Sequence, residues 1–185
     1  MKENINLTPA AEALAPATDA IPTTDAIPAF TLTLMENAYF KAMKKRCYEY
    51  KYACVARNMR LNEIRDWNNP EFQRLWAEKQ TAMEPYTPGQ RAAYNAWCLS
   101  IRLRSSELEI EKLPYEKHMS EFVDALRDAG FTEVVVTDDT SWLMSGMHEL
   151  AKQGCTMMGL CEITRGKNGY GEEETTNVQG IRFAL

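Results

Sequence analysis

Two histidines, one pair of adjacent aspartates, a glycine-rich turn and five cysteines are the residues of this 185-residue chain best suited to catalysis or metal binding. His148-Glu149, followed by Lys152, has the outline of a zinc-hydrolase helix, in which two histidines four residues apart hold the ion and the glutamate activates water. Here a lysine stands at the second ligand position, and a cation cannot share a zinc site. His118 opens a helix without a carboxylate at ligand spacing. Asp138 and Asp139 directly follow a predicted strand, where open α/β sheets bind ligands. A Mg²⁺ site there would call for a third carboxylate or a phosphate loop, and the pair reads instead as the cap of the next helix. Gly166-Lys-Asn-Gly-Tyr-Gly171 lacks the order of a phosphate loop and runs into Glu172, Glu173 and Glu174, which repel phosphate. Ser145-Gly146 lacks the upstream glycine of a nucleophile elbow. Cys47, Cys54, Cys98, Cys155 and Cys161 are odd in number and contain no C-x-x-C, so they read as reduced, mostly buried thiols. The chemistry therefore points away from an enzyme, and no metal or cofactor is expected. An enzyme stays in view only through Asp138, Asp139 and His148, which converge on one strand–helix junction.

A denser signal lies between Lys41 and Arg60. Lys41, Lys44, Lys45, Arg46, Lys51, Arg57 and Arg60 face Glu49 alone among acids, with Tyr39, Tyr48 and Tyr52 interleaved. Cations and tyrosines on one helical face suit a phosphate backbone, the rings being free to stack or to bond phosphate. The expected partner- or nucleic-acid-binding set is therefore Lys41, Lys44, Lys45, Tyr48, Lys51, Tyr52, Arg57 and Arg60; the plainer alternative is a solvated helix face. The net charge of −5 hides this segment. Residues 1–32 sum to −3, residues 33–113 to +4 and residues 114–185 to −6. The acidic end supplies a second expected surface, Asp138, Asp139, Glu172, Glu173 and Glu174. Local potential, not global charge, sets what a surface attracts.

These residues need elements to hold them. Residues 1–32, rich in Ala, Pro and Thr and containing Thr18-Asp-Ala-Ile-Pro22 repeated as Thr24-Asp-Ala-Ile-Pro28, are expected to form a disordered arm. Thr33-Leu-Met-Glu36 has the form of a capping box. From it, Phe40, Met43, Cys47, Tyr50, Cys54, Leu61 and Ile64 trace a heptad seam, which predicts one helix of about 50 Å over 34–66 and makes a homodimer a candidate. Asn69-Pro70-Glu71 restarts a helix to about Ala82, and Thr87-Pro-Gly-Gln90 opens another to about Lys112. The fold expected is α+β: a long α-helical hairpin domain over 33–113, then a small α-β-α-β-β module over 114–185 with a three-stranded sheet. In that module a helix near 115–129 precedes a strand at 131–137, a helix ending at Gly154, a strand at 156–165 and a last strand at 177–185. Hydrophobic residues at 45% and charged residues at 25% fit a water-soluble globular chain. No transmembrane span or secretory signal is apparent, so a cytoplasmic location is expected.

The stretch from about Glu121 to Leu185 combines Phe122-Val-Asp-Ala-Leu-Arg-Asp-Ala-Gly130, a strand, Thr137-Asp-Asp139, a helix, Gly154-Cys-Thr-Met-Met-Gly-Leu160 and Gly180-Ile-Arg-Phe183. It resembles a small module of uncharacterised accessory proteins carried by phages and conjugative elements of intestinal Firmicutes. The resemblance covers the last third of the chain and implies no catalytic residue. Accessory proteins of this size include anti-CRISPR inhibitors that bind Cas9. The resemblance thus implies a non-enzymatic inhibitor of a host defence nucleoprotein such as Cas9–guide RNA. A nucleic-acid-binding accessory or regulatory protein of conjugation or phage replication is the alternative.

Overall fold

A computed structural model describes residues 29–166 and 175–185 of the chain. Its fold is α+β, six helices and four strands among the described residues. The arm expected over 1–32 lies outside the described residues as far as 28; from Ala29 the chain is helical. Helix α1 spans Ala29–Met35. It is fastened by Thr31 Oγ1, which donates to Ser105 O (3.2 Å), and by Trp97 Nε1, which donates to Leu34 O (2.7 Å).

The single long helix expected from Thr33 is two helices. Asn37 breaks it: its Oδ1 accepts the Phe40 amide (3.1 Å) and its Nδ2 donates to Ala129 O (2.8 Å). Helix α2 therefore runs Ala38–Ile64, about 40 Å long. The cap is Asn37, and Thr33 lies inside α1. Arg65 ends α2 in the left-handed region (φ 49°) with its amide on Leu61 O. Asn69 then caps helix α3, Pro70–Thr81, with Pro70 in the first turn. The capping box at Thr87 and Gln90 forms as expected and opens helix α4, Pro88–Arg102.

Helix α4 ends at Arg102, ten residues short of its expected end. Ser100 Oγ accepts the Glu109 amide (2.8 Å), and Arg104 takes a left-handed φ of 48°. Leu108, which a helical stripe would have used, instead faces inward just ahead of strand β1 (Glu109–Ile110), as does Ile110 within it. This strand makes the sheet four-stranded, not three-stranded. A 3₁₀ turn (Glu116–His118) leads to helix α5 (Met119–Asp128), strand β2 (Glu133–Val136), helix α6 (Leu143–Lys152) and strands β3 (Thr156–Arg165) and β4 (Thr176–Ala184). The order is β1-β2-β4-β3, with β1 parallel to β2 and the other pairs antiparallel.

The sheet also closes on itself. Ser105, just ahead of β1, bridges Arg165 at the end of β3, with Ser106 N donating to Thr164 O (2.9 Å) and Gly166 N to Arg104 O (3.2 Å). One sheet face carries Val134, Val136, Ile110 and Phe183 into a core shared with Phe40, Trp97, Phe122 and Leu150. That core joins α1, α2, α4, α5 and α6, so packing does not divide at the boundary expected between 113 and 114. The heptad seam is likewise spent inside the molecule. Phe40 packs on Tyr94 and Trp97, and Leu61 on Phe72 and Leu75. The opposite sheet face holds Val135 and Ile163, both buried, and the row Glu109, Val135, Arg182.

Close approach of α4 to α5 depends on Gly89. A Cβ there would sit 2.5 Å from His118 O and 2.8 Å from Phe122 N, both backbone atoms that cannot swing aside. Gly89→Ala is therefore expected to destabilise the fold by about 1–3 kcal/mol in urea unfolding. A change below about 0.5 kcal/mol would show that the two helices are not pinned there.

Candidate nucleic-acid interface

The expected binding set stands on α2, and its members part company there. At 100° per residue the buried side of α2 carries Phe40, Met43, Cys47 and Leu61. Lys41, Lys45, Tyr48 and Tyr52 point away from it and Lys44 and Lys51 run along its edge, all six exposed, with Tyr48 at 53% and Tyr52 at 74%. Lys44 and Lys51 have no ion pair among the described residues. Lys45 lies 4.0 Å from Glu49, both exposed, and Lys41 pairs with Glu36. Such exposed pairs are worth at most about 1 kcal/mol and leave the cations available.

Arg57 and Arg60 are not part of this surface. Arg57 turns inward to α3, with Nε 3.9 Å from Glu78 Oε2 and its side chain 15% exposed. Arg60 holds Glu71 with both Nε and Nη2 (2.9 and 3.0 Å) and Glu63 with Nη1 (3.0 Å). These bonds raise Arg60 above its ordinary value and lower Glu71 below its own. The two arginines tie α2 to α3. The sequence places cations by number, and only the helix partner decides which of them are consumed.

The outer face extends past the residues expected. Val55 (55% exposed) and Met59 (60%) continue the line of Tyr48 and Tyr52 at spacings of four, three and four. α2 thus carries a second apolar stripe on its outer side, basic and aromatic in its first half and apolar in its second. The same spacing is present in the sequence, beneath the stronger seam.

Of the acidic set, Asp138 and Asp139 are among the described residues. Asp138 is buried, not a surface acid. Its Oδ2 accepts the Leu113 amide (3.1 Å) and its Oδ1 the Thr140 amide (2.8 Å). Burial alone would raise this carboxyl; the hydroxyl and amide of Thr140 and the amide of Leu113 outweigh it and hold the group below its usual value. The cap of α6 is Trp142, without a side-chain bond, so neither Asp139 nor Thr140 caps it. Asp139 is exposed, and Glu172, Glu173 and Glu174 lie outside the described residues. A depressed carboxyl stabilises the fold above its unfolded value, near pH 4, and that share is lost as pH falls through the folded value. Asp138→Ala strands two amides and is expected to cost about 1–3 kcal/mol at pH 7, with the deficit shrinking below pH 4. A deficit independent of pH would contradict this account of the Asp138 turn.

The enzyme-like residues remain scattered. A groove of about 1260 Å³ runs between α4, the 111–118 segment and the start of α6, bordered by Arg91, Arg102, Lys112, Tyr115 and Trp142. At its border Glu149 is paired to Lys152 (2.6 Å) and Ser145 bonds Glu116, while His118 does have a carboxylate one helical turn on, its Nδ1 lying 3.6 Å from Glu121. His148 is exposed. Among the described residues no three His, Cys, Asp or Glu side chains come together to hold a metal, and no helix is long and apolar enough to cross a membrane. The five thiols are free, Cys47 and Cys155 buried; Cys47 Sγ lies 2.9 Å from the Tyr86 hydroxyl, and this contact, with burial, pushes Tyr86 up to about 12.

Residues 92–185, from the middle of α4 through the sheet to the last residue, match the family described as Domain of unknown function (DUF7698). The chain belongs to this family. Comparison with curated proteins and with solved structures gives no match. The DUF7698 stretch contains all four strands, α5, α6 and most of the groove's border. Helices α1, α2 and α3, and with them the basic outer face, stand outside the matched residues.

Proposed function

We propose that this chain is a non-enzymatic binding protein that docks on a nucleoprotein through the outer face of α2. One observation carries the reading: Lys44, Lys45, Tyr48, Lys51 and Tyr52 are all exposed within one arc of about 120° on a single helix, beside its buried side. The phosphate backbone would lie along the lysines, with the tyrosine rings against it. Val55 and Met59, next on the same face, suit an apolar contact with the protein component. The resemblance of the last third would make that complex a host defence assembly of the Cas9–guide RNA type. Asp138, buried in the fold, adds nothing to an acidic surface that such an assembly could meet.

The test is the salt dependence of binding to fluorescein-labelled RNA and DNA, followed by anisotropy. Three phosphate contacts from Lys44, Lys45 and Lys51 predict a slope of log K against log salt of about −2 for a single strand. A slope near zero, or no binding at 20 mM salt, would reject the reading.

A further inference from the structure

At the far end of α2 the turn into α3 borders a cavity of about 530 Å³ lined by Asn58, Asn62, Arg65, Trp67, Trp76 and Lys79. This volume falls in the range of small-ligand sites. Its rings support one another. Trp67 lies 4.9 Å from Phe72 and 5.2 Å, edge-on, from Trp76, while Phe72 and Trp76 stack at 9°. Lys79 Nζ stands 5.3 Å from the Trp76 ring centre. Despite these contacts Trp67 is 62% exposed.

The segment that carries Trp67 is held at several points. The Arg65 amide donates to Leu61 O (3.2 Å), the Asn68 amide to Asp66 Oδ1 (2.9 Å), and Gln73 Nε2 to Trp67 O (3.1 Å). An open indole on a fixed turn is preorganised for stacking, because little ordering remains to be done on binding.

The lining selects among ligands that like flat rings. Arg65 and Lys79 are cations and no carboxylate lines the cavity, which disfavours a methylated amine of the kind aromatic cages take. A proline-rich peptide would leave both charges idle. A nucleotide uses every group: base on indole, phosphate on the cations, and base edge on the donor and acceptor amides of Asn58 and Asn62. Position agrees. Lys44, Lys51, Asn58 and Asn62 follow at spacings of seven, seven and four, along one side of α2, a track of about 27 Å that ends at the cavity.

We propose that this cavity holds one unstacked base of a single-stranded nucleic acid, with Trp67 as its stacking ring. The inference rests on the nucleic-acid reading of α2 and adds the strand type: a duplex keeps its bases stacked and cannot fill the site. The experiment compares a fluorescein-labelled 12-nucleotide RNA and the matching duplex against the wild-type chain, Trp67→Ala, Trp67→Phe and the Lys44/Lys45/Lys51→Glu variant. Trp67→Ala is expected to weaken single-strand binding about tenfold, with duplex binding and the salt slope unchanged, and Trp67→Phe to restore most of it. Circular dichroism of the tryptophan variants guards against a loosened α2–α3 turn. Unchanged single-strand affinity in Trp67→Ala, alongside loss in the lysine variant, overturns the cavity proposal and leaves the α2 reading standing. Wild-type protein that binds neither strand form removes both. Quenching of tryptophan fluorescence by a proline-rich peptide and not by AMP would assign the cavity to a peptide and overturn the proposal.

Discussion

Replacing Lys44, Lys45 and Lys51 together by glutamate is expected to lower nucleic-acid affinity by more than about 100-fold at low salt and to reduce the salt slope by about 2. Each lysine neutralises one phosphate, and for a single strand each such contact contributes about 0.7 to the slope, so losing three removes about 2. Charge reversal then adds repulsion to the loss. The fold should hardly notice: all three side chains are exposed, and the one neighbouring acid, Glu49, is 4.0 Å from Lys45. A glutamate at 45 beside Glu49 costs a few tenths of a kcal/mol, about 0.2–0.5, as a like-charge pair four apart. The matched control is Arg57→Ala with Arg60→Ala. Those side chains hold Glu78, Glu71 and Glu63, so their loss should lower the unfolding midpoint and leave the salt slope as it was. If the arginine variant loses binding and the lysine variant retains it, the interface lies elsewhere on α2.

The largest loss of stability is expected from Arg165→Leu. Glu109 is fully buried in β1, where its carboxylate accepts Arg165 and Thr137 Oγ1 (2.8 Å). The hydrogen bond to Glu109 in turn raises Arg165 above its ordinary value. Arg165 sits where β3 meets Ser105, so one ion pair also joins the two edges that close the sheet. Removing the cation leaves a buried charge without its partner, which costs about 3–5 kcal/mol. The double variant Glu109→Gln, Arg165→Leu removes the charge as well and should recover more than half of that loss, since a buried pair exchanged for neutral groups is often close to neutral. Urea midpoints at pH 7 read both. A single variant within about 0.5 kcal/mol of wild type would mean that water reaches Glu109 and that the sheet is open there.

Much of the architecture is legible in local sequence signals because those signals act locally. Asn69-Pro70 and Thr87-Pro-Gly-Gln90 place two helix starts, and each cap forms from its own side chains. The errors arise where a distant partner decides. Asn37 ends the long helix because its amide group also reaches Ala129, 92 residues away. Glu107-Leu-Glu-Ile-Glu111 alternates with a period of two, the pattern of a strand, yet Leu108 also fits the helical stripe that precedes it. Parallel pairing with β2 settles the matter and turns Glu109 into the most buried acid of the sheet. The candidate site divides the same way. Lys44, Lys45, Tyr48, Lys51 and Tyr52 stand where helical spacing puts them, while Arg57 and Arg60 are withdrawn by carboxylates on α3 and α2. Asp138 reads as a surface acid by type and is inside by virtue of two amides. The aromatic cavity at Trp67 combines residues from the end of α2, the turn and α3, and no single helical period marks it.

Photo-crosslinking tests the central claim most directly. A single-stranded RNA carrying 4-thiouridine would be bound to the full chain at low salt, irradiated, digested and mapped by mass spectrometry. The account predicts crosslinks on the outer face of α2, at Tyr48 and Tyr52, that vanish in the Lys44/Lys45/Lys51→Glu variant. Crosslinks confined to the groove between α4 and α6, with none on α2, would contradict it.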